Sequence, residues 1–296
     1  MNEPRVALCL YGEVRGTKTC APTIYENIVN QWNTDIFMSF NRVDQHDEER
    51  LRYFDKNVVF SEVYEKQDLN TVFPKSFYDK LIPFAQDLLK THSIIDVNFV
   101  SPLVGEFSSL YIRLNWYRFK SIIEPHINEY DYYIITRPDH YFLYPLFDKS
   151  FLDPNYIIKY NGHDWSGANA DFLIVPKNLV LGWLSSNYEF YANETLQDYI
   201  ISELPKRHRK NSETITQLIF EYNQYKIKTT PLSSFISADS ANERTSFTAI
   251  IFNGKHYYKY ETQYYDSLHN QSVWRNHTGW KDDGAQIYFE SDIKPN

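Results

Sequence analysis

Cysteine and glycine are both scarce in this sequence, which contains two cysteines and nine glycines in 296 residues. Two cysteines cannot build a disulfide framework, and Cys9 stands in an apolar run where a buried thiol is expected. Only Gly12 and Gly16 follow that run, so a glycine-rich phosphate-binding loop is absent. Internal repeats and low-complexity segments are also lacking, which excludes a repeat architecture and gives no sign of a linker.

Long hydrophobic runs and an excess of basic charge are absent as well. No segment reaches the length of a membrane span, and the N-terminal residues lack the features of a signal peptide. We therefore expect a cytoplasmic protein, or one made in the cytoplasm of a host, without a transmembrane segment. The formal net charge of −8 argues against a nucleic-acid binder, which would need a basic face. The basic run at 206–210 is interpreted as a solvated loop.

Aromatic residues, by contrast, are abundant. They make up 17% of the chain, with 25 tyrosines and 20 phenylalanines. Such a composition favours a globular chain, because burial of large side chains offsets the loss of chain entropy on folding. Most of the tyrosines are expected at half-buried strand positions, although tyrosine rings also suit a sugar-binding site.

Apolar runs alternate with helical patterns along the chain. A strand at 6–10, a helix at 22–32 with Pro22 at its start and a strand at 35–40 predict a parallel pair with a right-handed crossover. Further strands are expected at 58–63, 132–136, 156–160, 172–175, 226–229 and 247–252, and further helices at 73–92, from 107 to about 125, at 179–191 and at 213–225. The pattern weakens into aromatic-rich strands and loops after about residue 239. This alternation predicts an α/β domain with a mostly parallel central sheet flanked by helices.

Ligands of such sheets bind beyond the carboxyl ends of the strands. This rule selects the loops at 11–17, 137–141 and 163–171. The second loop carries Arg137-Pro138-Asp139 directly after the apolar strand at 132–136, and we expect Asp139 at the strand end, outside the core. A carboxylate and an arginine in this position could bind a divalent cation or stabilise a leaving diphosphate. The alternative is a surface ion pair.

The segment from 131 to 142 resembles a motif of GT-A-type glycosyltransferases of bacteria and large DNA viruses, Tyr-Asp-(apolar)-Arg-Pro-Asp-x-x-Phe. It occupies the position of the Asp-x-Asp motif of that family, although position 141 is Tyr141 rather than a second aspartate. Four other segments, at 5–15, 35–39, 167–172 and 212–214, are similar to family segments and follow in the same order. The resemblance therefore extends over residues 5 to 230.

The resemblance implies a Rossmann-like GT-A domain over residues 1–240, with an aromatic-rich C-terminal segment, 241–296, packed on the same domain. It also implies transfer of a hexose, deoxyhexose or pentose from a nucleoside-diphosphate sugar, preferably linked to uridine diphosphate, to a hydroxyl of a glycan or glycoconjugate acceptor. The donor-binding residues would be Tyr11, Gly12, Arg15, Arg137 and Asp139. Arg15 and Arg137 would offset the charge of the diphosphate.

The resemblance indicates less clearly which residues would bind a metal ion and which would contact the acceptor sugar. Asp139 would hold Mn²⁺ or Mg²⁺ or orient the donor ribose and sugar. A distant second metal ligand could be His277, Asp164 or Asp171, and the alternative is that the two arginines replace the metal. On the acceptor side Asp171 or Asp164 could be the catalytic base, with Trp165 and Glu213 near the acceptor sugar. The alternatives are that Asp171 caps a turn, that Trp165 belongs to the core, and that Glu213 is a first-turn acid favoured by the helix dipole.

Two other functions fit the same pattern less well. A glycan-binding protein could keep the fold without catalysis, and the missing second aspartate favours this alternative. A nucleotidyltransferase would need a glycine-rich signature near the N-terminus, which this sequence does not contain.

Overall fold

The computed structural model describes residues 3–42, 44–65, 72, 77–91, 108–161, 167–243 and 250–276. These residues form eleven strands and seven longer helices. The strands are β1 Val6–Glu13, β2 Asp35–Asn41, β3 Val58–Tyr64, β4 Tyr132–Thr136, β5 His140–Phe142, β6 Ile157–Asn161, β7 Phe172–Pro176, β8 Ile227–Pro231, β9 Ser234–Ala238, β10 Ile251–Phe252 and β11 Tyr257–Tyr258. The helices are α1 Thr17–Ile24, α2 Ile82–Thr91, α3 Ser108–Ile123, α4 Lys177–Ala192, α5 Glu194–Glu203, α6 Ser212–Tyr222 and α7 Glu261–Asn276. None of the helices among these residues is long and apolar enough to cross a membrane.

The central sheet has seven strands in the order β3-β2-β1-β4-β7-β6-β8. The pairs β1–β2, β2–β3, β1–β4 and β6–β8 are parallel, and β7 runs antiparallel to both of its neighbours. The predicted α/β architecture with a mostly parallel sheet is therefore confirmed. The chain first adds strands on one side of β1 and then places β4 on the other side. The strand order thus reverses between β1 and β4, and crevices at such points bind ligands in open α/β sheets.

Both faces of the central sheet are covered, which explains why its strands read as continuous apolar runs. Along β1, Leu8 and Leu10 belong to a buried cluster that includes residues of α1. Cys9 and Tyr11 point to the opposite face and share a second cluster with residues of α3 and α4. Successive side chains of a strand point to opposite faces, so one short segment anchors both layers of helices.

The first helix begins earlier than the sequence predicted. It starts at Thr17 rather than at Pro22, continues through a π-helical turn at Tyr25–Val29 and ends with Asn30–Trp32. Pro22 therefore lies inside the helix, where it donates no backbone hydrogen bond. The predicted start at Pro22 was wrong, because proline is merely tolerated at a first helical position and does not define one.

A second, four-stranded sheet has the order β10-β11-β9-β5. Its strand β5 begins at His140, directly after Asp139, and pairs with β9 from His140↔Ile236 onward. The described part of the C-terminal segment adds β10, β11 and α7 to this sheet, and Tyr264 of α7 packs on Phe235 of β9 with ring centroids 5.0 Å apart. We expected strands and loops here, so α7 corrects that expectation. Its sequence is mostly polar and gives no clear apolar stripe.

Candidate functional site

Two arginines meet one carboxylate at the point where the strand order reverses. Arg15 follows β1, and Arg137 and Asp139 follow β4. The Arg15 Nε donates to Asp139 Oδ2 at 2.7 Å, and Arg137 donates from Nε to Oδ1 at 2.9 Å and from Nη2 to Oδ2 at 2.6 Å. The parallel pairing of β1 with β4 brings their carboxyl ends together, which is why residues 124 positions apart form one group.

Asp139 lies in the interior, with 1% of its surface exposed. The expectation that it lies outside the core was therefore wrong. Burial by itself would raise the pKa of this carboxyl, but the guanidinium groups of Arg137 and Arg15 outweigh burial and hold the pKa well below its usual range. Asp139 is thus a permanently charged anchor for two arginines, each of which is 12–13% exposed.

Asp171 stands on the other side of Arg137. Its Oδ1 lies 3.7 Å from Arg137 Nη1, and its side chain is 25% exposed. The backbone around it is fixed, because Thr136 Oγ1 donates to the Asp171 carbonyl and the Asp171 amide donates to the side chain of Asn169. Asp171 is therefore a partly exposed carboxylate beside Arg137, as Glu13 is beside Arg15.

Glu213 is connected to this region through its backbone. Its carbonyl accepts a hydrogen bond from the Ala168 amide at 2.8 Å, and a Cβ on Gly167 would lie 2.1 Å from the Glu213 carbonyl carbon. Glu213 is also a first-turn acid of α6, whose N-cap Asn211 accepts from the Thr214 amide. The segment before Asp171 is therefore held on the N-terminus of α6. Asp164, Trp165 and His277 lie outside the described residues.

Tyr11 and Gly12 occupy the end of β1 but differ in exposure. Tyr11 is fully buried, its ring packs on Trp116 with centroids 5.7 Å apart, and its hydroxyl donates to the Ala170 carbonyl at 3.4 Å. Burial raises the pKa of this hydroxyl well above its usual range. Gly12 has φ +108°, and no heavy atom lies within 4 Å of a Cβ placed there. Tyr11 thus supports the site from behind, whereas Gly12 borders open space.

The N-terminus of α1 is capped by two acids that sequence reasoning did not select. Glu243 accepts from the Gly16 amide at 2.7 Å, and Asp239 accepts from the amides of Lys18 and Thr19 at 3.2 and 2.8 Å. Burial raises the pKa of Glu243. The only sequence signal for this cap is that Asp239 and Glu243 are acids shortly after β9. Negatively charged side chains stabilise the N-terminus of a helix. Three amide groups at the start of α1 are therefore already bonded by acidic side chains of the chain itself.

The described residues do not form a ready site for a divalent cation. Both oxygens of Asp139 accept hydrogen bonds from arginines, so a metal bound to this carboxylate would share its oxygens with two guanidinium groups. Within the described ranges, no three His, Cys, Asp or Glu side chains are grouped so that they could hold a metal ion. In this arrangement Arg15 and Arg137 supply positive charge beside Asp139.

An aromatic-lined cavity of about 480 Å³ opens farther along the same edge of the sheet. Asn41 and Tyr64, the last residues of β2 and β3, line it together with side chains of α3. Tyr117 of α3 and Tyr188 of α4 stack at its wall, with ring centroids 4.3 Å apart. The cavity begins at Asn41, one strand spacing or roughly 5 Å from the end of β1, because Asn41 pairs with Glu13. Its size suits a ring-shaped ligand next to the charged group.

Comparison with protein-family models finds no match for this chain, and comparison with curated proteins finds none either.

Proposed function

We propose that this protein is a glycosyltransferase of the GT-A type, which transfers a sugar from a nucleoside-diphosphate donor, preferably uridine diphosphate-linked, to a hydroxyl of a glycan acceptor. The observation that carries the proposal is the meeting of Arg15, Arg137 and Asp139 at the β1–β4 crevice. The antiparallel β7 within an otherwise mostly parallel sheet is compatible with this assignment.

The chemistry of transfer explains why two arginines would be used. The bond between the anomeric carbon and the diphosphate oxygen breaks with its electron pair on that oxygen, so negative charge grows on the leaving group. Arg15 and Arg137 are mostly buried, and fixed charges act strongly in a site from which water is largely excluded. Asp139 keeps both guanidinium groups in place before the donor arrives. Arginine is also suited to contact two phosphate oxygens at once.

The acceptor hydroxyl must lose its proton as its oxygen attacks the anomeric carbon. Asp171 is the proposed base, because its partly exposed carboxylate stands beside Arg137, close to the leaving group. The backbone contacts of its segment with Thr136 and Glu213 fix its position. Glu213 contributes to this position through its carbonyl, and its side chain is the proposed acceptor contact.

The aromatic cavity supports a second candidate, a glycan-binding protein without catalysis. The stacked Tyr117 and Tyr188 offer flat apolar faces, and Tyr117 is 40% exposed. Sugar rings pack on such faces. This candidate requires the cavity alone and makes no use of the arginines.

A thermal-shift screen with nucleoside diphosphates and nucleotide sugars, in Mn²⁺ or in chelator, tests the proposal. A ligand at a hundred times its dissociation constant stabilises the fold by about 2.7 kcal/mol. Donors that stabilise the protein are then assayed for release of the nucleoside diphosphate in the presence of glycan acceptors. Stabilisation and turnover that persist in chelator support charge compensation by arginine.

Two variants with a matched control make this test specific. Arg15→Gln and Arg137→Gln should lose donor binding. Arg5→Gln should behave like the parent, because Arg5 lies at the opposite end of β1 with 60% of its side chain exposed. Binding of free glycan without any response to nucleotides would reject the transferase and favour the second candidate.

A further inference from the structure

A third cation, Lys259, is buried next to the arginine pair. It follows β11 directly, and its backbone amide donates to the Ile236 carbonyl of β9 at 3.0 Å. The side chain is 6% exposed, and its ammonium lies over the Tyr260 ring at 4.9 Å from the centroid. Among the described residues no carboxylate lies within ion-pair distance of this ammonium. A buried charge without an anionic partner is costly, so its retention calls for an explanation.

The backbone brings Lys259 to this group, because Ile236, whose carbonyl accepts from the Lys259 amide, pairs with His140, the residue after Asp139. Burial is the main cause that lowers the pKa of Lys259, to about 8, and the nearby positive charges of Arg137 and Arg15 lower it further. Asp139 and Asp171 act in the opposite direction but do not compensate. Both carboxylates already contact the arginines. These five groups comprise three cations and two anions.

Three other acids lie around this group, and each of them already has a partner of its own. Glu13 contacts Arg15 at 3.4 Å and is 32% exposed, and Asp239 and Glu243 bond the amide groups at the start of α1. Lys259 is therefore the cation of this site for which the described residues supply no counter-charge. An anion of about the size of a phosphate would provide it.

We propose that Lys259 completes an anion site with Arg15 and Arg137, and that its ammonium binds a phosphoryl oxygen of a diphosphate. In the proposed transferase, on which this assignment of the ligand rests, that diphosphate belongs to the donor and becomes the leaving group. The ammonium supplies charge and hydrogen bonds and forms no covalent bond. The C-terminal segment thereby contributes directly to donor binding.

Calorimetric titrations of the full chain test this assignment with three ligands, uridine diphosphate, uridine and inorganic pyrophosphate, at constant ionic strength. Lys259→Met should weaken binding of uridine diphosphate and of pyrophosphate roughly 10- to 100-fold, which is the range for a hydrogen bond to a charged group. Uridine affinity should not change. Lys255→Met is the matched control, because Lys255 is an exposed lysine in the preceding β-hairpin, and it should bind all three ligands like the parent.

The outcomes separate this inference from the proposed function. If Lys259→Met binds pyrophosphate as tightly as the parent, Lys259 is a structural residue and the inference is wrong, even if nucleotide sugars are turned over. If the parent binds pyrophosphate through Lys259 but neither binds nor turns over any nucleotide sugar, the anion site stands and the transferase is rejected. If the parent binds neither pyrophosphate nor uridine diphosphate, the inference is wrong as well.

Removal of an unpaired charge should not unfold the chain. Circular dichroism of Lys259→Met checks this point, and Lys259→Arg provides a second variant. The substituted guanidinium would keep the positive charge, so we expect Lys259→Arg to retain most of the preference for uridine diphosphate over uridine. Loss of the preference in both variants, with an intact fold, would show that the shape of the site rather than the charge determines binding.

Discussion

Asp139 combines complete burial with two arginine partners, so its substitution should affect the whole fold. Asp139→Asn should lower the free energy of unfolding by about 3–5 kcal/mol, because two mostly buried guanidinium groups lose their counter-charge. Urea unfolding monitored by circular dichroism measures the change. Asp131→Asn, at the exposed beginning of the strand that leads to Asp139, is the control and should cost less than about 1 kcal/mol. Equal stability of the two variants would contradict the anchoring role.

Lys259 gives a pH dependence whose sign follows from its lowered pKa. The folded-state pKa of about 8 lies below the ordinary value of 10.5. Between these values the unfolded chain binds more protons, so the contribution of Lys259 to stability rises with pH. The stability of the parent relative to Lys259→Met should therefore increase by about 2 kcal/mol from pH 7 to 9.5. Urea unfolding at a series of pH values measures the difference, and a constant difference would show that Lys259 is not desolvated.

At the scale of elements, the approach of α1 to β9 depends on one glycine. Gly16 has φ +61°, and a Cβ there would lie 2.8 Å from the Ser237 carbonyl and 3.1 Å from the Asp139 Cβ. Gly16→Ala should destabilise the fold by about 2–4 kcal/mol through backbone strain and this contact. Gly254→Ala is the matched control, because Gly254 has φ +89° and no heavy atom within 4 Å of its Cβ position.

The comparison isolates the close contact from the backbone strain. Gly254→Ala should cost only about 1–2 kcal/mol, the cost of a left-handed backbone for alanine. Thermal and urea unfolding of both variants measure the difference. If Gly254→Ala costs as much as Gly16→Ala, the contact between α1 and β9 is looser than the structure indicates.

The elements also differ in how well the sequence predicted them. The strand at 132–136 and the neighbouring strands of the central sheet were expected within a few residues, because both of their faces are buried and their apolar runs are continuous. Helices α5 and α7 and strand β9 were missed. Helix α5 has a weak local signal, Leu196 and Ile200 four positions apart, whereas β9 pairs with β5, which is distant in the sequence.

At the scale of the whole molecule, the two thiols lie on opposite faces of the central sheet. Cys9 belongs to the cluster with α3 and α4, and Cys20 belongs to the cluster on the α1 side. Both are unpaired and fully buried, and burial raises both thiol pKa values far above the ordinary range. In the native protein both thiols should therefore react with an alkylating reagent only when the fold opens.

We expect the two cysteines to be modified at the same slow rate without denaturant and rapidly in concentrated urea. Mass spectrometry of peptides that contain Cys9 or Cys20 gives the two rates. Equal rates would indicate one cooperative unit. A much faster reaction of Cys20 would show that α1 opens by itself, contrary to the expectation that the β1–β4 crevice and α1 unfold together.

The sequence by itself determined the class of the fold and the three loops from which Arg15, Arg137 and Asp171 come. Apolar runs and helical periods are local properties, so the α/β alternation could be read from them, and strand ends indicated Arg15 and Arg137 as residues of one edge. The third loop led to Asp171, whereas its neighbours Asp164 and Trp165 lie outside the described residues.

Only the tertiary structure decided which charged side chains are buried and which partners they have. The burial of Asp139, the acids that cap α1 and the proximity of Lys259 depend on contacts between residues more than 100 positions apart. Such contacts leave no periodic signal, because the pairing of β1 with β4 and of β5 with β9 sets them. Asp139, which the sequence suggested as a metal ligand, is the partner of two arginines in the structure, and Lys259 of the C-terminal segment lies beside them.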